Sequence, residues 1–320
     1  MTKRTFIFDS DGGVDDAQAL ILLVANGHTP DLITTVFGNV GLDQATTNLL
    51  AVLSMLGVDV PVHKGADRPL VQPIIDAKYV HGDDGLGGAR RPPTQALPAS
   101  DDGVGVLRKT FRDAAAKGEK VDILMIGPLT NLAMALRLEP QIIDGIGMLT
   151  IMGGNVYGRG NTTPAAEFNI YADPEAGHVV LTAGIETVVV PWEPCTTHFM
   201  QGPRVDALFE GVAPGPLKDF SHALAVHARQ NGIRRGHPDR FLYVDPLAAA
   251  VLIDPSSVTK SVLASSSVAL APGLTRGMTL VDPSGRLGTP KITFVEEVDL
   301  AKVDALYAVS VAYSPTKQTN

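Results

Sequence analysis

The stretch FDSDGGVDDAQAL, Phe8 to Leu20, gathers Asp9, Asp11, Asp15 and Asp16 around the pair Gly12-Gly13. Its flanks decide the fold. Before it, Thr5–Phe8 is a short apolar run that reads as a buried strand; after it, Val14–Ala25 carries helical spacing. A strand passing straight into a helix through a glycine turn opens an α/β unit, and in open α/β sheets ligands bind beyond the carboxyl ends of the strands. The acids fall at that end. Gly12 and Gly13 permit the sharp turn. Asp15 and Asp16 fall in the first turn of the helix, where the dipole favours negative charge. That explains two acids, not four. A hard divalent cation such as Ca2+, which takes carboxylates among its oxygen ligands, accommodates the rest. No Cys/His cluster offers a zinc site instead.

The rhythm of that opening continues along the chain. Leu32–Val36, Val60–His63, Val121–Ile126, Met148–Met152 and Thr187–Val190 read as strands, with helices at Gln44–Leu56, Leu129–Leu136 and Pro174–Ala183. Strands rich in Ile, Val and Leu between helical crossovers imply an open, mostly parallel sheet covered by helices on both faces. Val262–Leu270, Thr279–Val281 and Ile292–Val295 read as later strands, and Leu300–Ala312 as a closing helix. Two irregular stretches, Gly65–Gly105 and Gly153–Tyr171, are long loops of the kind that carry function. With no repeat or linker, the expectation is one domain over residues 1–320 with large active-site loops.

Composition narrows the function. The 320 residues are 45% apolar, enough for a large core. Acidic residues outnumber basic ones, 34 to 26, and aromatic residues make up 5%, which argues against nucleic acid as a partner. No window approaches the roughly eighteen apolar residues of a membrane span, so no membrane partner is expected. The start MTKRTFIFDSDGG holds too few apolar residues for a signal peptide. The sole cysteine, Cys195, permits no internal disulfide, and a cytoplasmic location is the expectation.

The opening FDSDG is also similar to that of haloacid-dehalogenase-type phosphatases, with Asp9 as nucleophile and Asp11 as acid/base. Those enzymes need a later Lys and paired acids after separate strands; here Asp101-Asp102 lies in a loop. Further segments line up differently. TTVFGNV (Thr34–Val40), KGADRPL (Lys64–Leu70), HGDDGLGG (His81–Gly88), IGPLTNLA (Ile126–Ala133), MGGN (Met152–Asn155), GNTTPAAEFNIYADPEA (Gly160–Ala176), VDPLAAA (Val244–Ala250) and LTRGMTLVD (Leu274–Asp282) follow one another in order. Together with the opening they resemble the inosine–uridine preferring nucleoside hydrolase family, over most of the chain.

The resemblance implies hydrolysis of the N-glycosidic bond of ribonucleosides, in nucleoside salvage, by a calcium-bound water with Asp11 as general base. It implies metal ligation by Asp11, Asp16, Asp245 and the carbonyl of Ile126. It puts Asp15, Asn39, Asn161, Glu167 and Asn169 on ribose hydroxyls, Met152 beside the sugar and Asp9 in support. A homo-oligomer, dimer or tetramer, is implied as well. A non-catalytic nucleoside-binding homologue is the alternative from another class. Several of these residues have plainer readings. Asp245 before Pro246 reads as a helix N-cap, Asn39 and Asn131 as caps, and Glu167 with Asn169 as one side of an extended loop.

The pattern also departs from the family. D-P-G becomes Asp11-Gly12-Gly13, a loss of turn rigidity. Many members carry His before the late metal Asp, as proton donor to the base; here Val244 stands there and cannot donate. The candidates left are His81, then His227, then Tyr243. His222 and His227 are five apart, so at most one reaches the site. Trp192, the only tryptophan, is expected in the core or behind the site.

Overall fold

Strand β1 (Thr5–Ser10) buries both faces, with Phe6 and Phe8 in one hydrophobic cluster and Ile7 in another. Only a sheet covered on both sides accommodates that pattern. The computed structural model describes residues 4–315. The other strands are β2 (Leu32–Thr35), β3 (Val62–Lys64), β4 (Val121–Met125), β5 (Ile146–Met152), β6 (Thr187–Val190), β7 (Phe199–Gln201), β8 (Arg240–Leu242), β9 (Val258–Val268), β10 (Thr279–Asp282) and β11 (Lys291–Val298). The helices are α1 (Val14–Ala25), α2 (Leu42–Leu56), α3 (Lys78–His81), α4 (Gly103–Lys117), α5 (Thr130–Leu138), α6 (Phe168–Ala172), α7 (Pro174–Leu181), α8 (Trp192–Thr197), α9 (Gly202–Glu210), α10 (Pro216–Arg234), α11 (Asp245–Ile253) and α12 (Leu300–Ala312).

Nine strands form one open sheet in the order β10-β9-β11-β6-β5-β4-β1-β2-β3. It is parallel from β3 to β11, and β9 and β10 add an antiparallel edge. Helices α1, α2, α10, α11 and α12 pack on one face and α4, α5 and α7 on the other. Strands β7 and β8 make a separate antiparallel pair. From β1 the chain winds one way through β2 to β3 and the other way through β4 to β6. The order therefore reverses between β1 and β4, which opens a crevice beyond their carboxyl ends. Asp11 follows one of these strands and Ile126 the other.

The expected strands and helices are present, with shifted ends: β9 starts at Val258, not Val262, and β5 at Ile146, not Met148. Helix α4 was not anticipated. Its buried stripe is thin (Leu107, Phe111 and Ala114) inside a highly charged sequence. The two irregular stretches also contain short helices, α3 in the first and α6 in the second. Among the described residues no helix is long and apolar enough to cross a membrane.

Candidate active site

The turn after β1 is organised by one carboxylate. Asp16 Oδ1 accepts from Ser10 Oγ (2.6 Å) and from the amides of Asp11 and Gly12 (3.2 Å each); its Oδ2 accepts from the Gly13 amide (2.8 Å) and Asn39 Nδ2 (3.0 Å). Gly12, at φ 71°, is required twice over, because a side chain there would also strike the Ala45 backbone. Asp11 accepts from Asn39 N (2.7 Å) and Nδ2 (2.8 Å). Asn39 therefore spans Asp11 and Asp16; it caps no helix, since Gly41 holds the N-cap position of α2. Asp9 faces the opposite way, accepting from Thr34 Oγ1 (2.5 Å) and Asn131 Nδ2 (2.8 Å). Unlike Asp11, which Asn39 ties to Asp16, it shares no side-chain hydrogen-bond partner, among the described residues, with the acids around the cavity, which tells against the nucleophile role of the phosphatase reading. Asn131 is not a cap either. Its amide bridges Asp9, the Thr35 carbonyl and the Ala66 amide.

Asp245 reaches this group through a break in alternation. Along β8 and the residues after it, Arg240, Leu242 and Val244 line the cavity while Phe241 and Tyr243 are buried in the core. Alternation would send Asp245 into the core as well. Val244 prevents this with φ 48° and ψ −108°, the only positive φ outside glycine among the described residues. The expected N-cap role fails, because Val244 holds that position and no side chain caps α11. Asp245 is turned into the cavity instead. Carboxylate oxygens of Asp15, Asp16 and Asp245 lie within 4.8 Å of one another. Asp11, implied as a ligand, lies outside that trio and adjoins it through Asp16 and Asn39.

Burial without compensation shapes the electrostatics. Desolvation, with Asp16 next, raises Asp15 to about 7, and burial raises Glu167 and Asp9 to about 7. Asp11 and Asp245 are pushed well above the usual carboxylate range by burial and by the neighbouring acids. Asp15 Oδ1 is buried and has no hydrogen-bond partner. Crowded, buried hard oxygens with an unsatisfied acceptor among them are a fitting donor set for a divalent cation.

A cavity of about 450 Å³ opens above the acids. Asp15, Asn39, His81, Ile126, Met152, Asn161, Glu167, Asn169, His227 and Asp245 all line it; Asp11 and Asp16 lie behind the wall. Glu167 is not in an extended loop. It caps α6, accepting from the amides of Asn169 (2.9 Å), Gly154 (2.8 Å) and Ile170 (3.2 Å). Asn169 Nδ2 donates to the carbonyls of Ile126 and Met152, both at 3.0 Å, and Asn161 Oδ1 accepts from the Phe168 amide (2.8 Å). The Val14 amide donates to His81 Nδ1 (3.1 Å), which leaves the ring proton on Nε2. Burial, helped by His227 and Arg235, lowers His81 to about 4. His227 lies 2.8 Å from the Val80 carbonyl through Nε2, while His222 stacks on Phe209 outside the cavity. Tyr243 is ruled out as a proton donor to substrate; its hydroxyl donates to Asp304 (2.5 Å) in the core.

A sequence profile described as inosine–uridine preferring nucleoside hydrolase matches residues 6–305. The chain belongs to this enzyme family. A non-specific ribonucleoside hydrolase, RihC, of Salmonella enteritidis is 38% identical over 287 residues, covering 89% of each chain. Two solved structures share the fold. A plant nucleoside hydrolase has a TM-score of 0.89 at 28% identity, with 97% of this chain and 99% of that one covered. An inosine–guanosine nucleoside hydrolase has a TM-score of 0.87 at 28% identity, covering 98% and 100%.

Some cavity residues of this nucleoside hydrolase escaped the sequence reading. Trp192, expected in the core or behind the site, is half-buried; it packs on the core as expected and also lines the cavity. Arg235 and Arg240 line it too. The alternation Arg240, Leu242, Val244 against Phe241, Tyr243 was the available signal, but the strand is only three residues long.

Proposed function

We propose that the protein hydrolyses the N-glycosidic bond of ribonucleosides to free base and ribose, with Asp11 as general base. The observation that carries this reading is the arrival of Asp245 beside Asp15 and Asp16 at the floor of the cavity, from a distant part of the chain. The gathered oxygens of Asp15, Asp16 and Asp245 suit a hard cation, and with Asp11 and the Ile126 carbonyl beside them Asp11, Asp16, Asp245 and Ile126 would hold Ca2+. When bound, the ion neutralises the acidic group and makes a neighbouring water more acidic.

The chain's own residues do the rest. Asp11, aimed by the Asn39 amide and side chain, takes the proton of the attacking water. Asp15, Asn39, Asn161, Glu167 and Asn169 offer donors and acceptors to the ribose hydroxyls, and Met152 packs beside the sugar. As the C–N bond lengthens, positive charge develops on the ribose and the carboxylates of half-buried Asp15 and buried Glu167 stabilise it. The electron pair leaves with the base. His81, uncharged with its proton on Nε2, serves the base as a hydrogen-bond donor, and His227 flanks it. We read the chain as one domain acting in the cytoplasm as a homo-oligomer. The continuous sheet, the single buried cysteine and the family resemblance support this.

Ribose release from inosine, uridine, cytidine and adenosine, with and without EDTA, tests the reading. Turnover should stop in EDTA and return with Ca2+. Asp11→Ala should lose about a hundred- to ten-thousandfold in kcat with the fold intact. Wild-type activity in that variant removes Asp11 from the base role, and tight nucleoside binding without turnover makes the protein a binding homologue.

A further inference from the structure

Tyr243 is the last core residue before the chain turns toward the acids. Its ring is fully buried and edge-on to Phe241 and Tyr307, with centroids 5.4 Å away in each case. Its hydroxyl donates to Asp304 Oδ1 on α12 (2.5 Å), and Arg204 Nη1 on α9 holds Oδ2 of the same carboxylate (2.7 Å). Asp304 is itself buried, while Arg204 is exposed. Two helices thus fix the tip of one phenol. A buried carboxylate is a costly way to fill a core, since an apolar side chain of like volume serves packing as well or better. Nor does the need to satisfy a hydroxyl explain it. Tyr307, in the same aromatic stack, keeps a buried hydroxyl with no partner among the described residues. What sets Tyr243 apart is its place in the chain. The next residue is Val244, at φ 48° and ψ −108°, and the one after it is Asp245.

Given the cation reading of the acid group, we propose that Tyr243, tethered by Asp304 and Arg204, keeps Val244 in its disfavoured conformation and so holds Asp245 at the cation site. A valine released from that conformation relaxes toward the extended region. Strand alternation then resumes, and the side chain of residue 245 turns to the core. Two anchors oppose this. On one side, α11 is buried from Asp245 to Val251, and the Leu247 amide donates to the Val244 carbonyl (3.0 Å). On the other side, the sheet gives little hold, because β8 is three residues long and pairs with β7 alone. Stacked rings let a phenol slide, whereas a hydrogen bond to a carboxylate fixes its tip in distance and direction. Tyr243 and Asp304 are therefore positioning residues. They act through Val244 and Asp245 from within the core and touch neither substrate nor ion.

The test is Ca2+ titration of the metal-free protein by isothermal titration calorimetry, with urea unfolding of each variant in the absence of the ion. Wild type is compared with Tyr243→Phe, Asp304→Asn, Tyr307→Phe, Val244→Gly and the double variant Val244→Gly/Tyr243→Phe. Tyr243→Phe should weaken Ca2+ binding about ten- to a hundredfold, the advantage a strained residue gains by relaxing. Asp304→Asn, whose amide oxygen still accepts from the phenol, should lose only about threefold. Tyr307→Phe removes an unpartnered hydroxyl and should leave the Kd within about twofold of wild type. Glycine adopts a positive φ at no steric cost, so in the Val244→Gly background the further change Tyr243→Phe should cost less than about threefold. That dependence on residue 244 is what a merely structural hydroxyl would not show. An unchanged Kd in Tyr243→Phe, equal losses in the valine and glycine backgrounds, or as large a loss in Tyr307→Phe overturns the proposal. Where Tyr243→Phe does not fold, an unchanged Kd in Asp304→Asn overturns it instead. Wild type that takes up no Ca2+ sinks the calcium reading and this proposal with it; variants that all bind as wild type does sink the proposal alone.

Discussion

At the scale of single residues, Val244 shows what the site demands of the backbone. A β-branched residue at φ 48° carries strain of about 1–3 kcal/mol, kept only where surrounding structure enforces it. Here α11 is buried almost throughout and Asp245 must face the cavity. Val244→Gly should therefore raise the unfolding free energy in urea by up to about 2 kcal/mol, strain relief exceeding the roughly 1 kcal/mol that glycine's extra freedom costs. Val244 also packs against the core, so no gain, or a loss, would mean that its packing outweighs the strain. Sugar recognition belongs to the same scale. Buried Asn, Asp and Glu groups left unpaired by a missing hydroxyl should penalise 2′-deoxyuridine against uridine by at least about a hundredfold in kcat/KM; parity would show that the 2′-hydroxyl is not held. The four N-terminal acids were legible because charge density is visible in any window of sequence. Asp245 was not, beyond the family resemblance: Asp-Pro before a helix looks like a cap, and only the dihedral at Val244 redirects it.

At the scale of elements, the strands of the parallel sheet were legible because burial on both faces enforces continuous Val, Ile and Leu runs. The loops around the cavity were not, because distant hydrogen bonds hold them. Arg276 is the main example. It makes a bidentate pair with Glu175 on α7 (2.9 Å to each oxygen) and donates through Nε to Gln72 Oε1 (3.0 Å) in the first loop. Gln72 in turn donates to the carbonyls of Tyr171 and Ala172, at the end of α6. One side chain thus joins both irregular stretches to the sheet edge, across more than a hundred residues of sequence. Arg276→Ala should cost about 1–3 kcal/mol in urea unfolding, since a half-buried Glu175 loses its partner. It should also raise KM more than it lowers kcat, because the loops that line the cavity loosen while Asp11 stays in place. A midpoint within error of wild type would show that the loops hold themselves.

At the scale of the whole molecule, the buried acids couple folding to protons and, on the proposed reading, to a cation. Asp15 and Glu167 are raised to about 7 in the folded chain, and Asp11 and Asp245 are raised with them, against roughly 4 when unfolded. Between those values the unfolded chain has released protons that the folded chain retains. Cation-free stability therefore falls as pH rises from about 4 through about 7. A divalent cation reverses the penalty by replacing the protons, and protons compete with it at low pH. Calcium at a hundredfold excess over its Kd should add about 2.7 kcal/mol, a shift of several degrees in Tm. That shift should be larger near pH 8 than near pH 5 and vanish with EDTA. Thermal unfolding followed by circular dichroism over this pH range, with and without Ca2+, decides it. Equal shifts at both pH values, or cation-free stability that climbs through the window, would show that the acids are not the groups the ion engages.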